Sequence, residues 1–298
     1  MLELKHFQYV VTLAEELNFS KAALKLQIAQ PSLSQYINKL EEELGVTLFD
    51  RTVYPMKLTV AGKIYVTGAR KILENYNQTI DRITDVEDGN IGKISIGTSP
   101  SLCHYVLPKA ISEFKKYYPN VSVNIYEAKT KELREMLNTG KIDFSFCAVS
   151  NSDEGFETIT VHNETVLIAA LKNSEHHKRL EEISVDGSVN FEQLKDFGFI
   201  ALENNQVLTR YLYSLYKMTK LPPKIEVSVS EVTSAVSMVK AGLGIALLPS
   251  RFLNYSEVDN CIVFYNINNV DSSRRIAIQY KNGHYFTKAT EKLIDILK

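Results

Sequence analysis

The 298-residue chain carries 34 basic and 35 acidic side chains, a formal net charge of −1, and 45% of its residues are hydrophobic. That balance excludes a partner recognised by global charge, so any nucleic-acid contact has to rest on a local patch. Three scattered cysteines, Cys103, Cys147 and Cys261, have no CxxC or CxxH spacing, which argues against a disulfide framework or structural zinc and for a reducing compartment.

The N-terminus, "MLELKHFQ", lacks the basic and apolar regions of a signal peptide, and apolar runs such as "VLIAAL" are too short to span a bilayer. A cytoplasmic location without membrane contact is expected. Leu4, Phe7, Val11, Ala14 and Leu17 recur at helical spacing and predict one apolar stripe on a first helix. Asn18 or Ser20 can cap a short second helix containing Ala22, Ala23 and Leu26. After the tight connection "QIA", Pro31 suits a first helical turn, Leu33, Ile37, Leu40 and Leu44 form the stripe of a third helix, and Gly45 ends it.

Residues 46–58, "VTLFDRTVYPMKL", predict a small hairpin or wing. From Thr59 a long helix follows, with Tyr65, Ala69, Ile72, Tyr76, Ile80 and Ile83 stepping by threes and fours. Its 28 or so residues reach roughly 40 Å, and such a stripe on a protruding helix calls for a partner helix. Beyond Gly92, "KISIG", "VSVNIYEA", "IDFSFCA", "TVLIAAL", "FGFIAL", "KIEVSV", "GIALLP" and "RRIAIQY" read as strands with helical patterns between several of them, which predicts an α/β domain.

The stretch Phe19 to Leu40 holds Lys21, Lys25 and Lys39 and no acid. Opposite the apolar stripe of the third helix lie Ser34, Gln35, Asn38 and Lys39, with Gln30 and Ser32 at its start. Small and amide side chains can enter a major groove and exchange hydrogen bonds with base edges, while lysines at the margin meet phosphates. A helix-turn-helix whose second helix reads DNA fits this pattern; a plain helical hairpin with a polar face has the same spacing. Residues 1–60 as a whole hold six basic and seven acidic side chains, so the patch is strictly local.

Phe7, Val10, Glu15, Glu16, "NFSKAA" at 18–23, Leu26, "QPSLS" at 30–34, Ile37, "LEE" at 40–42, "LGV" at 44–46, Leu48, Phe49, Arg51 and "LTVAG" at 58–62 resemble the LysR-type transcriptional regulators, as does "AGLGIALLP" at 241–249. Ala29 departs from the family, which usually has Ser or Thr there. The resemblance implies a winged helix-turn-helix over 1–58, a linker dimerisation helix over 59–90 and a two-lobed effector-binding domain, like a periplasmic binding protein, over 91–298. The lobes would comprise 92–164 with 269–298, and 165–268, with crossings near 162–166 and 266–272. It implies double-stranded promoter DNA as partner, touched by Ser32, Ser34 and Gln35, with Arg51 in the wing, and a homotetramer built from linker-helix dimers. With the polar face of the third helix and its neighbours, the expected DNA-contact set is Ser20, Lys21, Gln30, Pro31, Ser32, Ser34, Gln35, Asn38, Lys39 and Arg51.

Other motifs yield no chemistry. "GLGIAL" lacks the full GxGxxG and precedes a strand, "GTSPS" has Ser101 where a nucleophile elbow needs glycine, and His176 and His177 lack i,i+4 spacing. No cofactor, metal or catalytic activity is expected. "GTSPS" at 97–101 instead joins a strand end to a helix start, offering Thr98, Ser99, Pro100 and Ser101, and Thr130 repeats the arrangement. With Glu203, Asn204, Ser230 and Thr233 from the second lobe, these form the expected effector site. The absence of lysine and arginine among them suits a small anion, and the two glutamates Glu203 and Glu231 suit a zwitterion. A solute-binding protein, or an enzyme with an accessory helical domain, is the alternative; the N-terminal motif speaks against both.

Overall fold

The computed structural model describes residues 4–87, 91–149, 155–203, 208–209, 212–213, 216–217, 220–251, 261–269 and 271–298. Three helices open the chain: α1 (Leu4–Glu16), α2 (Phe19–Leu26) and α3 (Gln30–Leu44). Asn18 caps α2 by accepting from the Lys21 amide at 3.0 Å, and Gly45 closes α3 at φ +68°, a left-handed turn that suits glycine. Val10, Leu13, Ala22, Ala23, Leu33, Ile37 and Leu40 close the core with Leu48, Phe49 and Met56 of the wing.

The stripe expected on α1 is corrected by this packing. Val10 and Leu13 are buried, whereas Val11 and Ala14 are half-buried. The helix has two apolar neighbours, because α4 (Val60–Glu87) lies along its other side and Phe7 stacks on Tyr65 at 6.3 Å. The wing is a hairpin of β1 (Phe49–Asp50) and β2 (Lys57–Leu58). Thr59 starts α4: its hydroxyl donates to Thr47 O at 2.7 Å and accepts from the Gly62 amide at 2.9 Å. Gly62 is required by close approach, since a Cβ there would stand 2.0 Å from Leu48 O.

The single stripe expected on α4 divides in two. Val66 and Ala69 are buried, while Ile72, Tyr76, Ile80 and Ile83 are 43–56% exposed. The helix also touches the C-terminal domain: Lys281 Nζ lies 2.6 Å from Glu74, and Arg82 sits over the Tyr285 ring.

The C-terminal domain contains β3 (Gly92–Thr98), α5 (Pro100–Tyr105), α6 (Leu107–Tyr117), β4 (Val121–Glu127), α7 (Thr130–Asn138), β5 (Phe144–Val149) and β6 (Glu157–Leu171). It continues with α8 (Glu175–Ile183), β7 (Ser188–Asn190), β8 (Gly198–Leu202), β9 (Lys224–Val229), α9 (Val232–Lys240), β10 (Ile245–Pro249), β11 (Ile262–Asn268), β12 (Ser273–Tyr280) and α10 (Lys288–Leu297). Strand order is β4-β3-β5-β12-β6-β10-β8-β9, with β11 on β6 and β7. β6 threads both halves. Its residues 157–165 pair with β12, and from Val166 it pairs with β10 and β11.

One apolar core gathers under β3, β5 and β12 with α6 and α10, and others lie around β8 and β10. The two lobes therefore share one continuous strand, β6, but not a core. β7, β11 and the first half of β6 were absent from the expected strands. Among the described residues no helix is long and apolar enough to cross a membrane.

Candidate functional site

α3 turns Leu33, Ile37 and Leu40 inward, which leaves Gln30, Pro31, Ser32, Gln35, Asn38 and Lys39 exposed and Ser34 half-buried on its outer side. Ser20 and Lys21 are exposed on the first turn of the neighbouring α2. Ala29 caps α3 without a side-chain bond, as its methyl requires.

Several acids of this domain are drawn away from that face. Glu41 accepts from the Leu48 and Phe49 amides at 2.6 and 3.0 Å and from Arg51 Nη2 at 2.9 Å. Glu15 and Glu16 lie 3.3 and 3.0 Å from Lys25 Nζ, which ties that lysine to α1. Arg51, expected at the DNA, is held within the domain by Glu41 while its side chain stays 37% exposed. Its guanidinium is engaged by Glu41 and lies 4.9 Å from the Phe19 ring centroid, so it fastens the wing to the helices.

Between the lobes lies a cavity of about 220 Å³, lined by Ser99, Pro100, Ser101 and Thr130 from the first lobe and Ser230 and Glu231 from the second. That volume is small beside a site for a drug-sized ligand. Thr98 does not line it: the residue is fully buried and its hydroxyl donates to Phe146 O at 2.8 Å, holding β3 to β5. Thr233, in the first turn of α9, is also outside the lining. Asn204 lies outside the described residues.

Glu203 stands apart from the lining and pairs with Lys129 at 3.2 Å, joining one lobe to the other. Both partners are about half exposed, and pairs of that kind contribute only ~0–1 kcal/mol, so this is a weak clasp.

The expectation of a site without basic groups is also corrected. Lys129 and Arg274 line the cavity, together with the carboxylates Glu127, Glu132 and Glu231. Burial pushes the Glu231 carboxyl up; Lys129 opposes the shift, and Glu127 and Glu203 add to it. Cys147 lines the same wall, and burial followed by Glu127 pushes the Cys103 thiol up to about 11, leaving it protonated at neutral pH. The doublet "RR" inside the apolar strand "SSRRIAIQY" was the available sign of a buried arginine, because successive strand residues face opposite sides.

Beneath the cavity, where β6 passes from one lobe to the other, Glu164 Oε2 accepts from Arg251 Nε at 2.6 Å, and Glu164 Oε1 lies 3.5 Å from Arg274 Nη1. Arg251 Nη2 lies 3.3 Å from His162 Nε2. Burial, then the charge of Arg251, holds this imidazole below its ordinary 6.5.

Comparison with known proteins agrees with both regions. Residues 4–63 match the model of the bacterial regulatory helix-turn-helix proteins of the lysR family, and residues 87–298 match the LysR substrate binding domain. The HTH-type transcriptional regulator BenM of Acinetobacter baylyi is 33% identical over 254 residues, covering 84% of this chain and 81% of that protein. AlsR of Bacillus subtilis, also an HTH-type transcriptional regulator, is 28% identical over 95% of this chain and 92% of its own. A full-length OxyR variant from Pseudomonas aeruginosa superposes with a TM-score of 0.78 over 100% of this chain and 95% of that one, at 24% identity. With a polar helix face free of acids from Gln30 to Leu40 at one end and a lobed cleft at the other, the chain belongs to the LysR family and is a DNA-binding transcriptional regulator controlled by an effector.

Proposed function

We propose that the effector is a small anionic or zwitterionic metabolite bound in the 220 Å³ cavity between the lobes. The observation that carries this reading is the lining itself. One small cavity brings together the hydroxyls of Ser99, Ser101 and Thr130, the cations Lys129 and Arg274, and the carboxylate of Glu231. The hydroxyls and cations suit an anionic group, and Glu231 suits an ammonium. No chemical step is needed, because a ligand that binds one arrangement of the lobes better than another shifts their equilibrium. The test is calorimetric titration of the full chain with candidate metabolites that alter operator binding. Ser99→Ala and Thr130→Ala are expected to weaken the same ligand; unchanged affinity in both would place the effector elsewhere.

At the other end, we infer that Ser32, Ser34, Gln35 and Asn38 meet base edges while Lys21 and Lys39 meet phosphates. Two such reading heads require a two-fold partner. The exposed row Ile72, Tyr76, Ile80 and Ile83 suits pairing of α4 with the same helix of a second chain, and two dimers would give a homotetramer. Ile80→Asp is expected to dissociate the dimer in sedimentation and to weaken operator binding; a variant that sediments as the wild type would remove α4 from the interface.

A further inference from the structure

We propose that Arg274 anchors the anionic group of the effector, and that Glu164, shared between Arg274 and Arg251, transmits occupancy of the cleft to the second lobe. The inference rests on the effector reading above and names the anchor and the coupling residues for that site.

Charge balance is the starting point. Glu164 is 3% exposed and faces two guanidiniums that are each 11% exposed. One carboxylate therefore serves two buried cations. It satisfies them unequally: the bond from Arg251 is short at 2.6 Å, whereas 3.5 Å to Arg274 is a charge contact rather than a good hydrogen bond. Among the described residues no other carboxylate acts on Arg274. Arg274 Nε and Arg251 Nη1 are buried without a hydrogen-bond partner. The neighbouring His162 is kept neutral by its burial, so it can accept a bond from Arg251 but brings no negative charge. A buried guanidinium in excess of its counter-ions is costly, and the fork of Arg274 matches a carboxylate in two-point geometry. Arg274 also lines the cavity, so the missing anion has a place to enter.

Position supplies the coupling. Glu164 immediately precedes the point where β6 changes lobes, pairing with β12 through Thr165 and with β10 from Val166. Arg251 follows the end of β10, one residue after Ser250, whose hydroxyl accepts from the Thr165 amide at 3.3 Å. An anion on Arg274 competes with Glu164 for that guanidinium. Glu164 then serves Arg251 alone and binds the end of β10 more firmly to the crossing strand. Glu164 thus has two arrangements, and the ligand selects between them.

The test uses the full-length chain with acetate as probe, against chloride at equal ionic strength, read by calorimetry and thermal unfolding. Acetate should stabilise the wild type. Arg274→Gln should lower acetate affinity at least tenfold, and Arg274→Lys, which keeps the charge but loses the fork, should lower it less. Glu164→Gln removes the competitor and should raise acetate affinity several-fold. Arg251→Gln returns Glu164 to Arg274 and should lower it. Opposite signs for these last two variants are not a consequence of general destabilisation. Absence of acetate binding to the wild type, wild-type affinity in Arg274→Gln, or shifts of one sign in Glu164→Gln and Arg251→Gln would each overturn the proposal. If a metabolite changes operator binding in the wild type and in Arg274→Gln alike, the anchor is wrong while the effector reading stands.

Discussion

The outer side of α3 and the cleft between the lobes are both polar surfaces, but they are built in different ways. Gln30, Ser32, Ser34, Gln35, Asn38 and Lys39 lie within ten consecutive residues of one helix, and all but Ser34 are exposed. The helix would keep its shape without them, because its hold on the domain comes from Leu33, Ile37 and Leu40. The cleft draws on the ends of β3, β4 and β9 and the starts of α7 and β12, and two of its charged groups, Lys129 and Arg274, face the carboxylates of Glu203 and Glu164 outside the lining. On α3, recognition and stability reside in different side chains. In the cleft they share them, so a change that alters binding there also alters folding.

The sharpest test of this contrast is Glu164→Ala. It strands two buried guanidiniums, and breaking a buried pair in this way costs about 3–5 kcal/mol. Denaturant unfolding should show that loss, and a change within 1 kcal/mol of zero would mean that the crossing is solvated and the contrast mistaken. Gln35→Ala should behave in the opposite manner. Its unfolding curve should match the wild type while discrimination between operator and unrelated DNA falls by about 1–3 kcal/mol, the worth of a good base contact. Titrations at fixed salt decide it, and undiminished discrimination would remove Gln35 from the reading face.

Between the two regions, α4 meets the C-terminal domain at His284. Its Nδ1 lies 3.3 Å from Gln78 Nε2, and its Nε2 lies 4.0 Å from Asp143. Burial holds this imidazole below its ordinary 6.5; Glu74 opposes the shift and Lys281 adds to it. The unfolded chain therefore takes up a proton at higher pH than the folded one. Stability is full above about pH 6.5 and falls as the pH drops from there toward the depressed folded value. His162 and His176 are shifted in the same direction, also chiefly by burial. Replacing His284 with Gln should flatten part of this acid slope, measured as unfolding free energy between pH 7 and 5; an unchanged slope would show that the junction does not sense the proton.

The smallest effect is expected at Lys39, which is 75% exposed and only 4.0 Å from Glu43. Lys39→Ala should weaken binding to all DNA sequences alike and reduce the slope of log affinity against log salt by about one. A loss confined to the operator would promote Lys39 from phosphate contact to reader.

Much of the N-terminal domain was legible in the sequence because its determinants are local. A cap at Asn18, a proline at the start of α3, a left-handed glycine at 45 and apolar residues at 33, 37 and 40 act within one or two helical turns. The polar side of α3 follows by subtraction once those residues are buried. The sequence likewise marked the apolar row on α4 and most strands of the C-terminal domain by their periodicity. It did not mark how neighbours divide such a row: α1 covers one end of the α4 stripe and leaves Ile72 to Ile83 open.

Nor could periodicity identify β11 or the first half of β6. β11 packs its two faces on two cores of the second lobe and so does not alternate, and the first half of β6 is exposed or half-buried up to Asn163, with few apolar side chains to mark it. Ser99, Pro100, Ser101, Thr130 and Ser230 of the cleft were expected from the sequence, but its buried charge cluster was decided by tertiary structure. Glu164 and Arg251 are 87 positions apart, and Arg274 comes from a third segment. What makes Arg274 an anchor is burial beside a shared carboxylate, a property of the folded neighbourhood and of no residue taken singly. Thr98 shows the converse. Its hydroxyl looked available in sequence, and the pairing of β3 with β5 consumed it.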